Sequence, residues 1–466
     1  MASCRCRRWR WRTVCICLCS PCIIMALLFL YAGLVVCMRM NAKSSVAVPT
    51  TETTHFVAPG TLRNKSFASI PKKFWELHQN GDAFWNSLQL PIDHYFSPIL
   101  HLNKKKKEFS NTRFSESLLR QSFSKVTDLE SRRTNFDKLP KQIQDFVSHM
   151  DRRDYPTLIQ PDLVCGAGAK DEKEPPLLLL AIKTTELNFE NRQAIRHTWG
   201  QTGWVAGQEG SSSGGYIRRV FLLGTENHDN QQVKFSELLQ LESKHYGDIL
   251  QWDFKDTFFN LTLKDVLFWS WFSRFCGQTH FVFKGDDDVF VNTPKMITYL
   301  QDQLKNPEAE KTMNSFMIGE VIGAATPSRL NNSKYFIPES FYKGLYPAYA
   351  GGGGVVYSGL LAKRLHNMSK RVHLFPIDDV YVGMCMVRLN AFPIHHYAFL
   401  TFDFSEKEAK ELCSYHTILL VHKRSPSQVI QLWADLKETQ AQCWNVTLKD
   451  TDEKEEVKPE ELSPEI

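Results

Sequence analysis

The sequence predicts an α/β domain with a largely parallel sheet, set behind a membrane-crossing helix, on three observations. Apolar runs of strand length end in turn residues: Leu177 to Lys183 after a proline pair, Arg218 to Gly224, and Phe281 to Phe283 before Lys284-Gly285. Segments with helical spacing alternate with them, notably 188–200 (NFENRQAIRHTWG) and 261–276 (LTLKDVLFWSWFSRFC). Alternation of this kind is the pattern of a parallel sheet, whose ligands lie at the carboxyl ends of the strands. The third observation is an uncharged stretch from Val14 to Cys37, long enough as a helix to cross a bilayer core.

That stretch orders the chain. Arg5, Arg7, Arg8, Arg10 and Arg12 crowd its amino-terminal side, while Arg39 stands nearly alone beyond it. The positive-inside rule puts residues 1–13 in the cytosol and the rest on the lumenal side. The span is too long for the core of a cleaved signal peptide, so it reads as a retained anchor. The 466 residues carry a net charge of +5, which those five arginines supply; nucleic acid is therefore excluded as a partner. Sequons at Asn64, Asn260, Asn331, Asn367 and Asn445 fit a glycosylating lumen. Residues 38–175 read as a stem and packing region, in which Trp75, Phe84, Trp85 and Tyr95 are candidates to pack on the main domain. Residues 176–445 form the α/β domain, and the acidic, proline-bearing residues 446–466 a disordered tail. Five cysteines follow the anchor and allow two bridges. Placement favours Cys165 with Cys276 and Cys385 with Cys413, although connectivity does not follow from sequence alone.

Four segments carry chemistry. Asp286, Asp287 and Asp288 close the strongest strand; alternate carboxylates in an extended turn suit Mn²⁺ or Mg²⁺ bridging to a diphosphate. An acidic surface turn is the plain alternative, but three charges beside a core are costly unless something binds them. Tyr349 and the run Gly351 to Gly354 lack dinucleotide or P-loop spacing. They read as a sharp turn, flanked by Tyr346, Tyr349 and Tyr357, that forms a sugar platform. Asp378-Asp379 begin a helical pattern through Val380, Met384 and Val387, with Asp378 as cap and Asp379 free as a general base. The helix dipole is expected to weaken that base. His422, at a strand end, is either structural or a third metal ligand.

Together these segments resemble the β-1,3-glycosyltransferase family, and among them the β-1,3-N-acetylglucosaminyltransferases that build poly-N-acetyllactosamine. The matching residues are Arg192 to Arg196 with Trp199-Gly200, Asp256 to Lys264, Phe283 to Asn292, Tyr346 to Gly354, Pro376 to Cys385 and Val421-His422, in that order. The resemblance implies a Rossmann-like GT-A fold, a type II Golgi membrane protein, UDP-GlcNAc as donor, Mn²⁺ (or Mg²⁺) as metal and a galactose-terminated glycan as acceptor. It implies that Asp286 and Asp287 contact the donor, Asp288 and His422 bind metal, and Asp379 takes the proton from the galactose 3-hydroxyl. Lys183, Arg196, Lys264, Tyr349, Gly352 and Gly353 fall on its donor and sugar side. A β-1,3-galactosyltransferase of the same family is the nearest rival; a lectin-like scaffold on an inactive transferase fold is a more distant one. Assembly with itself or with other Golgi transferases is compatible with the sequence.

Overall fold

The structure is a computed structural model that describes residues 55–57, 67–69, 83–96, 136–137, 139–161, 164–165, 175–207, 210–226 and 232–450. The expected anchor, Trp75, Asn64 and the tail beyond residue 450 lie outside these residues. Among the described residues no helix is long and apolar enough to cross a membrane.

In chain order the strands are β1 (His55–Val57), β2 (Phe67–Ser69), β3 (Thr157–Ile159), β4 (Leu178–Lys183), β5 (Gly203–Gly207), β6 (Gly210–Thr225), β7 (Ile249–Lys255), β8 (Phe281–Asp286), β9 (Phe290–Val291), β10 (Met317–Ile322), β11 (Tyr349–Ser358), β12 (Ile394–His395), β13 (Phe399–Leu400) and β14 (Leu420–Val421). The helices are α1 (Phe84–Phe96), α2 (Lys141–His149), α3 (Phe189–His197), α4 (Gln232–Tyr246), α5 (Leu261–Phe275), α6 (Thr293–Lys305), α7 (Ala309–Thr312), α8 (Gly359–Ser369), α9 (Asp378–Arg388) and α10 (Pro426–Thr439).

The main sheet runs β12-β10-β11-β8-β4-β6-β7-β3, with β5 paired to β6. Its centre, β8-β4-β6-β7, is parallel, while β11 and β3 join antiparallel on either side. The period of two in β4 sorts its side chains onto the two faces. Leu179 and Ala181 join a core with α1, α2, α5, α8 and α9. Leu178, Leu180 and Ile182 join a second core with α3, α6 and α10. Both faces of this strand are covered, which is why it reads as one continuous apolar run.

Three expectations are corrected. The glycine run is not a turn: Tyr349–Ser358 is a strand, antiparallel to β8, with Gly354 opposite Gly285. Tyr346 and Tyr357 are buried, and Tyr357 accepts a hydrogen bond from Trp269 Nε1 at 3.2 Å, so neither forms a platform. Within 38–175, by contrast, the expected packing of Trp85 on the main domain is present: β3 extends the sheet, and Trp85, Ile143 and Phe146 enter its core. At the other end, Lys295 Nζ donates to Val446 O and Lys449 N to Thr417 O, so packing continues past 446. The disulfides are Cys165–Cys276 and Cys413–Cys443. The first was expected; the second replaces Cys385–Cys413, because Cys385 is a free thiol buried on α9 inside the core.

Candidate active site

β8 carries its chain from the middle of the sheet to its carboxyl edge and ends at Asp286; β9 begins four residues later. β14 pairs antiparallel with β9, Val421 opposite Phe290, which brings His422 back beside the acidic turn. Single donor atoms of Asp286, Asp288 and His422 all lie within 4.8 Å of one another. His422 Nε2 is 3.3 Å from Asp288 Oδ1, while its buried Nδ1 has no hydrogen-bond partner among the described residues. Gly353 allows this approach. Its φ is +85°, and a Cβ there would stand 2.6 Å from His422 Cδ2. At Gly352, with φ +82°, a Cβ would stand 1.8 Å from Thr401 Oγ1.

Burial is the main force that raises the Asp286 carboxyl, to about 6; the charges of Asp378 and Asp288 add to it, against the pull of Lys183 and His422. Burial works to lower the His422 pKa, but the hydrogen bond and charge of Asp288, with Asp286 behind it, raise it overall. Two carboxylates and an imidazole crowded in this way fit a divalent cation of the Mn²⁺ or Mg²⁺ kind, whose charge would relieve the repulsion between them.

The middle aspartate is held differently. Asp287 accepts from Thr184 Oγ1 and from Asn188 Nδ2, the latter at 2.9 Å, and its main-chain carbonyl accepts from Asn191 Nδ2 at 3.2 Å. It ties the acidic turn to the chain leaving β4. Lys264, on α5, is buried against Asp256 Oδ2 at 2.8 Å and Thr184 O at 2.9 Å, and so braces that same chain.

The second part of the site is the first turn of α9. Ile377, not Asp378, is the N-cap, and it makes no side-chain cap bond. The expectation of Asp378 as a cap is therefore corrected: its carboxylate is bonded to Lys183 Nζ, and Lys284 Nζ is 3.8 Å from it. Lys183 and Lys284 also meet the fully buried Asp265, at 3.2 and 2.9 Å. Asp379 stays 3.6 Å from Lys284 and keeps 31% of its side chain exposed. Gly351 lies under it, for a Cβ there would be 3.3 Å from Asp379 Oδ2 and 3.7 Å from the Tyr349 ring. The two neighbours are driven apart electrostatically. Burial opposes ionisation of Asp378, yet Lys183 and Lys284 hold it down at about 2. Burial and then the charge of Asp378 push Asp379 up to about 7, against the pull of the same two lysines. Burial and the neighbouring carboxylate thus outweigh the helix dipole, which was expected to weaken Asp379 as a base. Tyr349 is likewise pushed up to about 12, by burial and then by Asp379.

Arg196 does not reach this site. Its Nε and Nη2 bond Asp248 at 3.0 and 2.7 Å and its Nη1 bonds Glu242 at 2.6 Å, in a buried network shared with Arg192 and Arg219. Its expected donor-side place is corrected to that of a structural cation behind β6. Sequence reasoning missed Lys284 and Asp265. The signal for the first was present: a lysine inside an apolar strand must find a buried counter-charge. Nothing local pointed to Asp265 on an apolar helix.

The sequence model of the family described as Galactosyltransferase matches residues 190–397, which include the acidic turn, the glycine strand and Asp378-Asp379. The chain is 41% identical over 383 residues to human N-acetyllactosaminide beta-1,3-N-acetylglucosaminyltransferase 2, covering 80% of this chain and 89% of that one. It is 37% identical over 313 residues to the rat UDP-GlcNAc:betaGal beta-1,3-N-acetylglucosaminyltransferase 7, covering 66% and 74%. To the corresponding bovine transferase 9 it is 42% identical over 301 residues, covering 61% and 71%. Fold, site and likeness together define a glycosyltransferase. The chain belongs to the galactosyltransferase family, alongside its β-1,3-N-acetylglucosaminyltransferases.

Proposed function

We propose that the protein transfers N-acetylglucosamine from UDP-GlcNAc to the 3-hydroxyl of a terminal galactose, with inversion, extending poly-N-acetyllactosamine on glycoproteins or glycolipids. The observation that carries this is the meeting of two unlike groups across the glycine strand. On one side are Asp286, Asp288 and His422; on the other is Asp379, raised to about 7 and partly open to solvent. A divalent cation held by Asp286, Asp288 and His422 would supply charge stabilisation to the departing diphosphate. Asp379 accepts the proton of the acceptor hydroxyl as its oxygen bonds the anomeric carbon from the face opposite UDP, and UDP leaves with the electron pair. Lys183 and Lys284 keep Asp378 ionised, and burial together with that ionised neighbour leaves Asp379 basic enough. Tyr349, beside Asp379, offers a ring for the sugar. The parallel sheet centre and the acidic turn at its carboxyl edge support a GT-A assignment. The uncharged 14–37 stretch, with arginines crowded on its amino-terminal side, supports a type II anchor, placed in the Golgi membrane by the family resemblance, with the α/β domain lumenal.

The test is a donor panel on the full chain with lactosamine acceptors. UDP-GlcNAc is expected to give a β-1,3-linked product, to fail after exhaustive chelation and to recover with Mn²⁺. Preferred use of UDP-galactose would move the chain to the rival reading, and full activity in chelated enzyme would remove the metal from it.

A further inference from the structure

Helix α1 precedes β4 by more than eighty residues of sequence, yet it grips both segments that lead into the site. Ahead of the glycine strand, Phe84 N and Trp85 N donate to Ser340 O and Phe341 O, each at 2.8 Å. Asn86 exchanges two bonds with Lys343, at 2.9 and 3.1 Å. Ahead of α9, Trp85 Nε1 donates to Leu374 O at 3.0 Å, Gln89 Oε1 accepts from His373 N at 2.9 Å, and Gln89 Nε2 donates to Arg371 O at 3.1 Å. Asp93 then meets the far end of α9: Arg388 Nε and Nη2 bond its two oxygens at 2.8 and 2.6 Å, and Arg388 Nη1 returns to Met384 O at 2.9 Å. Gln89 Nε2 also donates to Asp93, at 3.0 Å, so the two grips are joined. Trp85, Asn86, Gln89, Asp93 and Arg388 are all fully buried.

A buried ion pair is poor evidence for stability, because desolvation offsets most of its attraction; its better-attested use is to fix one arrangement among several. This one joins two elements 295 residues apart. It fixes the helix whose opposite end carries Asp379. The bonds from Trp85 and Gln89 fix the strap 371–375 that enters that end, and the bonds to 340–343 fix the approach to Tyr349. We infer that α1 is a positioning element for the transfer reaction, in which Asp93, through Arg388, and Gln89 and Trp85, through the 371–375 strap, set Asp379 against the glycine strand. These are positioning residues, since none reaches the acidic turn or Asp379 itself. The inference rests on the reading of Asp379 as the base. The α/β domain from 176 onward would accordingly hold every reacting group and still lack the part that aligns them.

The test uses the full chain. Asp93→Asn leaves a buried arginine without its counter-charge and is expected to damage the fold, so it does not decide the matter. The paired Asp93→Val/Arg388→Met change removes both charges with little change in total volume, which the fold is expected to tolerate; Gln89→Met and Trp85→Phe remove the bonds to the strap. All three should bind UDP-sugar with wild-type affinity and keep a cooperative melting transition. Their kcat should fall tenfold or more with donor KM within about twofold, since small misplacements of a catalytic group are costly. Amide exchange should quicken across 371–388 and stay unchanged in β4 and β8. Wild-type kcat in the paired variant, or unchanged exchange across 371–388, overturns the inference. Failure of the wild-type chain to transfer any sugar defeats the functional reading instead, and the exchange measurement, which needs no substrate, still decides whether α1 holds the strap and α9.

Discussion

Asp378 and Asp379 are adjacent, yet their surroundings assign them opposite work. Asp378 is spent on Lys183 and stays charged; Asp379, buried and repelled by that charge, holds its proton up to about 7. Asp379→Asn keeps the volume and removes the proton acceptor. Its kcat should fall roughly 10²–10⁴-fold, the usual contribution of a general base, with donor affinity nearly unchanged. The base must be ionised to act, so kcat/KM in the wild type should climb with pH through the region of 7. A cation on Asp286 and Asp288 would move that inflection downward, because positive charge favours the carboxylate. A variant with near-normal kcat would show that the base is elsewhere. Gly353 permits a second test at this scale. Gly353→Ala forces a left-handed backbone on a residue that resists it and drives its Cβ at His422. The Mn²⁺ concentration for half-maximal activity should rise in this variant, while Asp379 and its pH inflection stay in place. An unchanged Mn²⁺ requirement would show that His422 takes no part in holding the metal.

At the scale of the element, the carboxy-terminal segment is secured by Cys413–Cys443, a bridge with a sequence separation of 30. That segment carries β14 and hence His422. A loop of this size stabilises by about 3.6 kcal/mol on the chain-entropy account. Cys443→Ser is therefore expected to lower the melting temperature and to weaken the metal response. Cys385, a buried free thiol pushed up to about 12 mainly by burial, should resist alkylation until the chain unfolds. Peptide mapping without reduction checks both; a Cys385–Cys413 peptide would restore the pairing read from sequence. The elements themselves differed in how plainly they could be read. β4, β6 and β8 are legible because a strand covered on both faces must be apolar throughout. β11 is not, because four glycines carry no strand preference of their own and are held in register by β8 on one side and β10 on the other. The turn at Asp286–Asp288 is legible for its charge at the end of an apolar run. The bond from Lys183 to Asp378 is not, since those residues stand 195 apart and nothing in either segment names the other.

For the whole molecule the controlling quantity is the balance of charge at the carboxyl edge of the sheet. Asp265, Asp286, Asp288, Asp378 and Asp379 gather around Lys183 and Lys284, with His422 at the margin. The acids outnumber the lysines, and burial together with that surplus lifts Asp286 and Asp379 above the usual carboxylate range. A surplus of this kind costs the folded state free energy that a bound cation would return, so binding of a metal there would be linked to folding. At a concentration one hundred times its dissociation constant, a ligand that binds only the folded chain adds about 2.7 kcal/mol. For a domain of this size that corresponds to a rise of several degrees in melting temperature. Mn²⁺ with UDP is expected to give such a rise and Mn²⁺ alone a smaller one, because Asp286, Asp288 and His422 supply only part of a shell that the diphosphate completes. Asp288→Asn removes the most exposed ligand and should abolish the shift while leaving the metal-free melting temperature close to wild type. The measurement is a thermal melt of the full chain with chelator, with Mn²⁺, with UDP and with both. A shift that UDP produces equally well in chelator would place the nucleotide site away from the acidic turn. It would leave the surplus of carboxylates at the sheet edge without a counter-ion.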